Sequence, residues 1–259
     1  MEVRVIGSGG AFDTTLTNSS FIVSAGGSNT LVDCGYNVFA KLKELEDYVR
    51  DLISGIDRIY ITHMDDDHIG SLNSLIYYRY FVLGLTTEVQ CAAGIHEALA
   101  SYLPENKVMS HNDEYGYPVM VNCVDKNIVN LTTINKLVLS NTTDKSNPVH
   151  INTVVAGHHT TTNGIVFYQS GGDLIYISGD TVPLKEIEKT ILDIVANANI
   201  KRTVMLHDYS LWDAEPGHNV HACRQTIASE YSQEFISMLT YYHNCNNNVM
   251  GMLIPKLLS

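Results

Sequence analysis

Two histidines and three aspartates fall within six residues, His63-Met64-Asp65-Asp66-Asp67-His68, directly after the short β-branched and aromatic run Arg58–Ile61. That run has the composition of a buried strand, so the charged segment occupies the loop that leaves it. Rigid scaffolds present functional groups on such loops, and imidazole with carboxylate is the donor set that divalent zinc, manganese and iron share. The plainer reading is a solvated acidic turn in which Asp66 or Asp67 caps the helix that follows. The two flanking histidines favour the ligand reading, because a capping turn has no use for them.

Hydrophobic periodicity divides the rest of the chain. Strands are predicted at Glu2–Ile6, Ser20–Ser24 and Thr30–Val32, with a glycine-rich turn at Gly7–Gly10. Val38 to Leu52 carries helical spacing, with Val38, Leu42, Leu45 and Leu52 roughly on one face. A helix at Ser71–Val82, a strand at Glu88–Ala92 and a helix at Ile95–Leu103 come next, while Asn106–Asn147, rich in Asn, Thr and Asp, yields no assignment. Strands resume at Ile151–Val155, Ile165–Gln169 and Leu174–Ser178. A helix at Leu184–Asn197 precedes a strand at Thr203–Leu206, a helix near His221–Glu234 and a strand at Phe235–Thr240. Strands followed by alternating helix and strand, twice over, predict two sheets packed face to face with helices outside, an α/β sandwich. No linker or repeat interrupts the chain, so one domain over residues 1–259 is expected.

The formal charge of −12 and the absence of a dense Lys/Arg cluster argue against a nucleic-acid partner engaged over a broad surface. A small anionic substrate stays compatible, because bound cations can invert the local field. Five scattered cysteines without a C-x-x-C pair suit free thiols in a reducing compartment. No apolar run reaches the ~18 residues of a membrane span, and the opening strand has no signal-peptide pattern. A cytoplasmic protein without a membrane partner is expected.

His63-x-Asp65-x-Asp67-His68 resembles the H-x-H-x-D-H signature of metallo-β-lactamase-fold hydrolases, with Asp65 where that family usually has a second histidine. Further landmarks fall in the family's order: Asp33 in Val32-Asp33-Cys34-Gly35, His158 ahead of Gly164, Asp180 after Gly179, and His243 after Tyr241-Tyr242. The resemblance implies an αββα four-layer sandwich and two divalent ions, Zn2+ or Mn2+. His63, Asp65 and His158 would hold one, Asp67, His68 and His243 the other, with Asp180 bridging and Asp33 supporting the loop. A carboxylate at Asp65 hardens the first site and shifts the expected metal toward manganese or magnesium. His159 is an alternative to His158.

Met205-Leu206-His207-Asp208 is similar to the H-E-A-T segment of ribonuclease Z-like phosphodiesterases, with Asp208 in place of the glutamate. His221-Ala222-Cys223-Arg224 is similar to the histidine segment that opens a helix in the same group. The resemblance implies His221 as general acid held by Asp208, with Asp67 completing the catalytic set; an ordinary helix-start histidine is the alternative for His221. His218 is expected to line the substrate pocket, His207 to orient a neighbouring group, and His96, His111 and His150 to be structural.

Ribonuclease Z grips tRNA with a long arm between the third-motif histidine and the bridging aspartate. Here that interval is 180 − 158 = 22 residues, filled by two predicted strands and a Gly171-Gly172 turn. A compact, arm-less relative most resembles the phage anti-Pycsar phosphodiesterases and their bacterial homologues. That resemblance implies hydrolysis of cyclic CMP, UMP, AMP and GMP to 5′-monophosphates, a homodimer, and a bacterial or infected-host cytoplasm. The Gly7–Phe12 stretch and the tyrosines of Ile76–Phe81 suit the resemblance, although a tight turn and core packing explain them as well. Two other readings remain: a nuclease or other small phosphodiesterase, and a non-catalytic protein that sequesters a nucleotide.

Overall fold

A computed structural model describes residues 1–13, 15–104, 107–112, 118–122, 128–139, 146–210 and 220–243, with 107–112 and 118–122 described by backbone alone. In chain order the elements are β1 (Glu2–Gly7), β2 (Ser20–Ala25), β3 (Ser28–Val32), α1 (Val38–Glu46), β4 (Arg58–Ile61), α2 (Asp66–Ile69), α3 (Leu72–Phe81) and β5 (Thr87–Cys91). Then come α4 (His96–Tyr102), entered through a 3-10 turn at Ala93–Ile95, β6 (Lys107–Asn112), β7 (Pro118–Asn122), β8 (Val129–Thr133), β9 (Lys136–Leu139) and β10 (Val149–Ala156). The chain continues with β11 (Thr162–Tyr168), β12 (Asp173–Ile177), α5 (Lys185–Asn197), β13 (Arg202–Asp208), α6 (Arg224–Glu230), α7 (Gln233–Met238) and β14 (Leu239–Tyr242).

One sheet has the order β1-β2-β3-β4-β5-β8, the other β14-β13-β12-β11-β10-β9, and β6 pairs with β7. Each sheet changes character part-way. β1, β2 and β3 form an antiparallel meander, after which β4, β5 and β8 add in parallel. Likewise β9 to β12 are antiparallel, and β13 and β14 add in parallel. Parallel neighbours need crossovers, which is where the helices enter the chain.

Alternating side chains in the strands build three apolar layers. Ile59 and Ile61 of β4 join a cluster with Leu42 of α1, Leu75 of α3 and Leu99 of α4. Tyr60 between them faces the opposite way, into a cluster shared with Ile165, Phe167, Ile175, Ile177 and Leu206 of the second sheet. Leu174 and Tyr176 of β12 meet Ile187 and Ile191 of α5 and Phe235 of α7 on the far side. Helices, sheet, sheet and helices therefore stack in four layers, as expected. Among the described residues no helix is long and apolar enough to cross a membrane.

Three sequence expectations are corrected. The helix from Val38 stops at Glu46 instead of reaching Leu52, where the Glu46 carboxylate accepts the backbone N–H of Ile53. Apolar spacing continues because the following turns also bury Leu52 and Ile53. The helix expected over His221–Glu234 begins only at Arg224 and breaks at Tyr231, so His221 precedes it. The strand expected at Phe235–Thr240 starts at Leu239, because Ser232 caps a separate helix by accepting the Phe235 N–H. Phe235 is buried in either geometry, so its hydrophobicity does not distinguish them.

One glycine decides where the acidic loop can lie. A Cβ on Gly35 would collide with the backbone carbonyl of Asp67, and the same close approach lets Cys34 N–H donate to His68 O at 2.7 Å. Gly35→Ala is expected to cost about 3 kcal/mol or more, since overpacking against backbone cannot be relieved by a rotamer change. For a chain of this size that lowers the melting temperature by roughly 10 °C. Thermal melts of metal-free protein check it; an unchanged midpoint would refute the contact.

Candidate metal centre

The candidate residues collect where parallel strands end. Asp33 follows β3, His63 follows β4, Asp180 follows β12, Asp208 closes β13, and His243 follows β14. His158 and His159 come from the turn between β10 and β11. Carboxyl ends of strands are where open α/β sheets place their ligands. Two of these residues hold left-handed backbone, Asp33 at φ 61° and His243 at φ 69°. Non-glycine residues adopt that conformation at a cost of about 1–3 kcal/mol, typically at functional sites.

All seven expected ligands come together. Donor atoms of Asp67, His68, Asp180 and His243 lie within 4.8 Å of one another, as do those of His63, His158 and Asp180. Asp180 is common to both sets, the position expected of a bridge. Asp65 joins His158 and His159 in a third set, and its Oδ2 is 3.6 Å from His63 Nε2. Asp65 also stands at the start of α2, yet its side chain caps nothing. Asp67 turns inward to His243 Nε2 at 3.0 Å. The sequence reading expects Asp66 or Asp67 as the cap of this helix; instead both lie inside its first turn, and the cap position falls to Asp65.

The hydrogen bonds behind the cluster orient its imidazoles. Thr62 Oγ1 has one proton, which it donates to Asp33 Oδ2 at 2.8 Å. Its contact with His63 Nδ1 at 2.9 Å must then be accepted from that ring. His68 Nδ1–H donates to the same Asp33 oxygen at 2.8 Å, and His158 Nδ1–H donates to the Val220 carbonyl at 2.8 Å. With each Nδ1 so engaged, Nε2 is the atom left facing the cluster. Thr62 carried no signal in the sequence beyond its place before His63.

The donors fit divalent cations. His63 Nε2, His68 Nε2 and Asp180 Oδ1 are buried and make no hydrogen bond to any described residue, an arrangement that native interiors avoid unless another group is to be bound. Their chemistry, nitrogen and carboxylate oxygen together, suits zinc or manganese. Without cations the charges balance through protons. Burial opposes charge on His68 and His243, but Asp180 with Asp33 beside the first, and Asp180 with Asp208 and Asp67 beside the second, lift both well above the ordinary histidine value. Burial opposes charge on His158 as well, but its bonds to Asp65 and the Val220 carbonyl, with the charges of Asp180 and Asp65, together raise it. His63 falls, through burial and the charge of neighbouring His68. The nearby imidazoles of His158 and His63 hold Asp65 far below the usual carboxylate range. Asp67 and Asp180 lie well below it too, their histidine neighbours overcoming burial.

At one side of the cluster, His221 Nδ1 is 2.9 Å from Asp208 Oδ2 and 3.7 Å from Asp180 Oδ2. Asp208 is wholly buried. It accepts the Thr181 N–H at 2.9 Å, and its other oxygen lies 3.3 Å from His243 Nδ1. One carboxylate therefore positions both the candidate acid and a candidate metal ligand, a double role the sequence reading did not contain. His207 Nδ1–H donates to the Asp208 carbonyl at 2.8 Å, and its Nε2 accepts from Tyr231 at 3.0 Å. Burial lowers its pKa, so it acts as a neutral strut to α6. His150 stacks on Tyr168 on the second sheet, as befits a structural residue. His218 lies outside the described residues.

The family model described as Anti-Pycsar protein Apyc1 matches residues 1–250. The chain belongs to the anti-Pycsar Apyc1 family. Among curated Apyc1 proteins, one from Bacillus phage BSP38 is 43% identical over 84 residues, covering 32% of this chain and 31% of that protein. Another, from Paenibacillus xerothermodurans, is 30% identical over 95 residues, 37% of this chain and 36% of its own length. The chain thus spans about a third of the length of these Apyc1 relatives. Among solved structures, the metallo-β-lactamase fold protein YhfI from Bacillus subtilis superposes with a TM-score of 0.63 at 15% identity, covering 96% of this chain and 88% of that one. Human tRNase Z, short form, gives 0.58 at 18% identity, covering 95% and 93%. At such identities the likeness speaks for the fold alone. It is the metallo-β-lactamase fold that the His63–His68 motif led us to expect.

Proposed function

We propose that this Apyc1-family chain is a metal-dependent phosphodiesterase that opens 3′,5′-cyclic mononucleotides to 5′-monophosphates, and that it thereby counters Pycsar signalling, as its family's name suggests. The observation that carries this reading is the His221–Asp208 pair at 2.9 Å, beside a buried cluster of imidazoles and carboxylates. A phosphodiester's leaving alkoxide needs a proton, whereas cleavage without a poor leaving group would not call for such a donor.

His63, Asp65 and His158 would hold one cation, and Asp67, His68 and His243 the other, with Asp180 between them. When bound, such a pair supplies charge neutralisation on the phosphoryl oxygens and a lowered pKa for the attacking water. The chain's own part in the cleavage is proton delivery. Asp208 accepts a hydrogen bond from the Nδ1–H of His221, which fixes the ring and directs its Nε2–H toward the departing O3′. A water oxygen joins phosphorus as the phosphorus–O3′ bond breaks, O3′ takes the His221 proton while the water's released proton passes to solvent, and the product carries a 5′-phosphate and a free 3′-hydroxyl.

A small substrate suits the short connection between His158 and Asp180, which β11, a tight turn at Gly171 (φ 68°) and β12 occupy. The reading includes a homodimer, which sedimentation would test. Its direct test is turnover of cyclic CMP, UMP, AMP and GMP with manganese or zinc, set against a His63→Ala/Asp180→Ala control. Metal-dependent release of 5′-monophosphates, absent in the control, is expected; tight binding without turnover would favour sequestration instead. His221→Ala is expected to lower kcat by about 10²–10⁴-fold, the usual contribution of a positioned acid, while two metal ions still bind. Equal kcat in parent and variant would remove His221 from the mechanism.

A further inference from the structure

Asp65 marks the departure of the acidic loop from the pattern it resembles, because a carboxylate stands where an imidazole is usual. The fold brings another imidazole to the same place. His159 Nε2 lies 3.5 Å from Asp65 Oδ2, the oxygen that His158 Nε2 approaches to 3.3 Å and His63 Nε2 to 3.6 Å. Three imidazole nitrogens thus converge on one carboxylate oxygen. Two of them, on His63 and His158, already belong to the set that closes on Asp180. The third comes from the residue next to His158 and belongs to no motif.

The separations suit a shared ion. Donors of Asp65, His158 and His159 lie within 4.8 Å of one another. Two donors on one cation, each at about 2.1 Å, can be at most about 4.2 Å apart, and the 3.5 Å between His159 Nε2 and Asp65 Oδ2 lies inside that limit. That side chain is 52% exposed, which leaves it room to rotate. Asp65, at 27%, is the more open of the carboxylates around the cluster, so the first cation would face solvent on this side unless another donor closed it.

We propose that His159 is a direct donor to the cation held by His63, Asp65 and His158, supplying from the turn between β10 and β11 the imidazole that the acidic loop lacks. The donor set becomes three imidazoles with the carboxylates of Asp65 and Asp180. Five donors exceed the four of a structural zinc site and suit a metal of higher coordination number such as manganese. The inference rests on the two-cation reading above. Its rival is a substrate contact, because His159 also lines a cavity of about 480 Å3 together with Gly94, Asn135, His158 and Asn163.

The test is chelator competition for zinc and for manganese on the full metal-free chain, comparing parent, His159→Ala, His159→Gln and the double variant His159→Ala/Asp65→His. Two sites in the parent are expected, with one weakened roughly tenfold or more in both single variants, and parent affinity regained in the double variant. Three results would overturn this proposal alone. Unchanged affinities with a raised KM in His159→Ala would make His159 a substrate contact. Parent-like binding by His159→Gln alone would reduce it to a hydrogen-bond partner of Asp65. A double variant as weak as His159→Ala would show that the missing imidazole is not what His159 supplies. A parent chain that binds no cation would overturn the metal reading itself, and this one with it.

Discussion

Asp180→Asn is expected to abolish turnover while leaving the fold in place. Asp180 Oδ1 lies 3.2 Å from His68 Nε2, and Oδ2 lies 3.7 Å from His63 Nε2 and 3.5 Å from His243 Nε2. No other carboxylate belongs to both donor sets that hold these three histidines. An amide keeps the shape but loses the charge and offers one oxygen in place of two, so both cation sites should weaken together. The loss expected in kcat/KM is about 10³-fold or more, equivalent to roughly 4 kcal/mol of transition-state stabilisation at 1.36 kcal/mol per decade. Metal stoichiometry and turnover on the same preparation check it. A variant that keeps two ions and near-parental turnover would show that Asp180 does not bridge.

Stripping the cations is expected to reverse the pH dependence of stability. In the metal-free chain His68, His158 and His243 titrate above their ordinary value because carboxylates surround them. A histidine raised in the folded state stabilises fully below its unfolded value of about 6.5 and loses that contribution as pH rises through the folded value. Asp65, Asp67 and Asp180 are lowered. Their contribution is present above the unfolded value of about 3.9 and disappears as pH falls through the folded one. Metal-free protein should therefore be most stable between about pH 4 and 6.5 and melt at falling temperatures as pH rises above that window.

Loaded protein should behave oppositely over that upper range, because cations displace the same protons and bind better as pH rises. Free metal at about 1,000 times Kd adds roughly 4 kcal/mol per site, or roughly 8–16 °C each for a chain of this size. Melting curves across that range, with chelator or with excess manganese, decide it. A metal-free midpoint that climbs from about pH 6.5 to 9 would mean that the buried histidines are not held by carboxylates.

The two largest expected effects both involve Asp180, and the sequence carried it only as one aspartate after a glycine. What short-range spacing encodes was legible. The apolar run Arg58–Ile61, the density of His and Asp that follows it, and the twice-repeated change from strands to helix-strand alternation all act over a few residues. They led to two sheets with helices outside and to the ligand candidates of the His63–His68 loop, whereas His158, Asp180 and His243 followed only from the resemblance to a known family. Helix limits near Glu46 and Tyr231 were not legible, since Leu52, Ile53 and Phe235 are buried whether or not the helix continues.

The hydrogen-bond geometry of the site was out of reach for a different reason. Its partners are far apart in the chain: 35 residues between Asp33 and His68, 62 between His158 and Val220, and 176 between Asp67 and His243. Composition and periodicity say nothing about which of several buried carboxylates will meet which imidazole. For Asp33 and His68 that depends on the pairing of β3 with β4; for Asp67 and His243 it depends on how the strand ends of the two sheets are set against each other by the apolar layer around Tyr60, Phe167 and Leu206. The sequence by itself determined which groups are available to the site and on which elements they ride. Only the tertiary structure decided the rest: pairing of β3 with β4 lets Thr62 donate to Asp33, pairing of β13 with β14 sets Asp208 beside His243, and packing of the two sheets stands His159 beside Asp65.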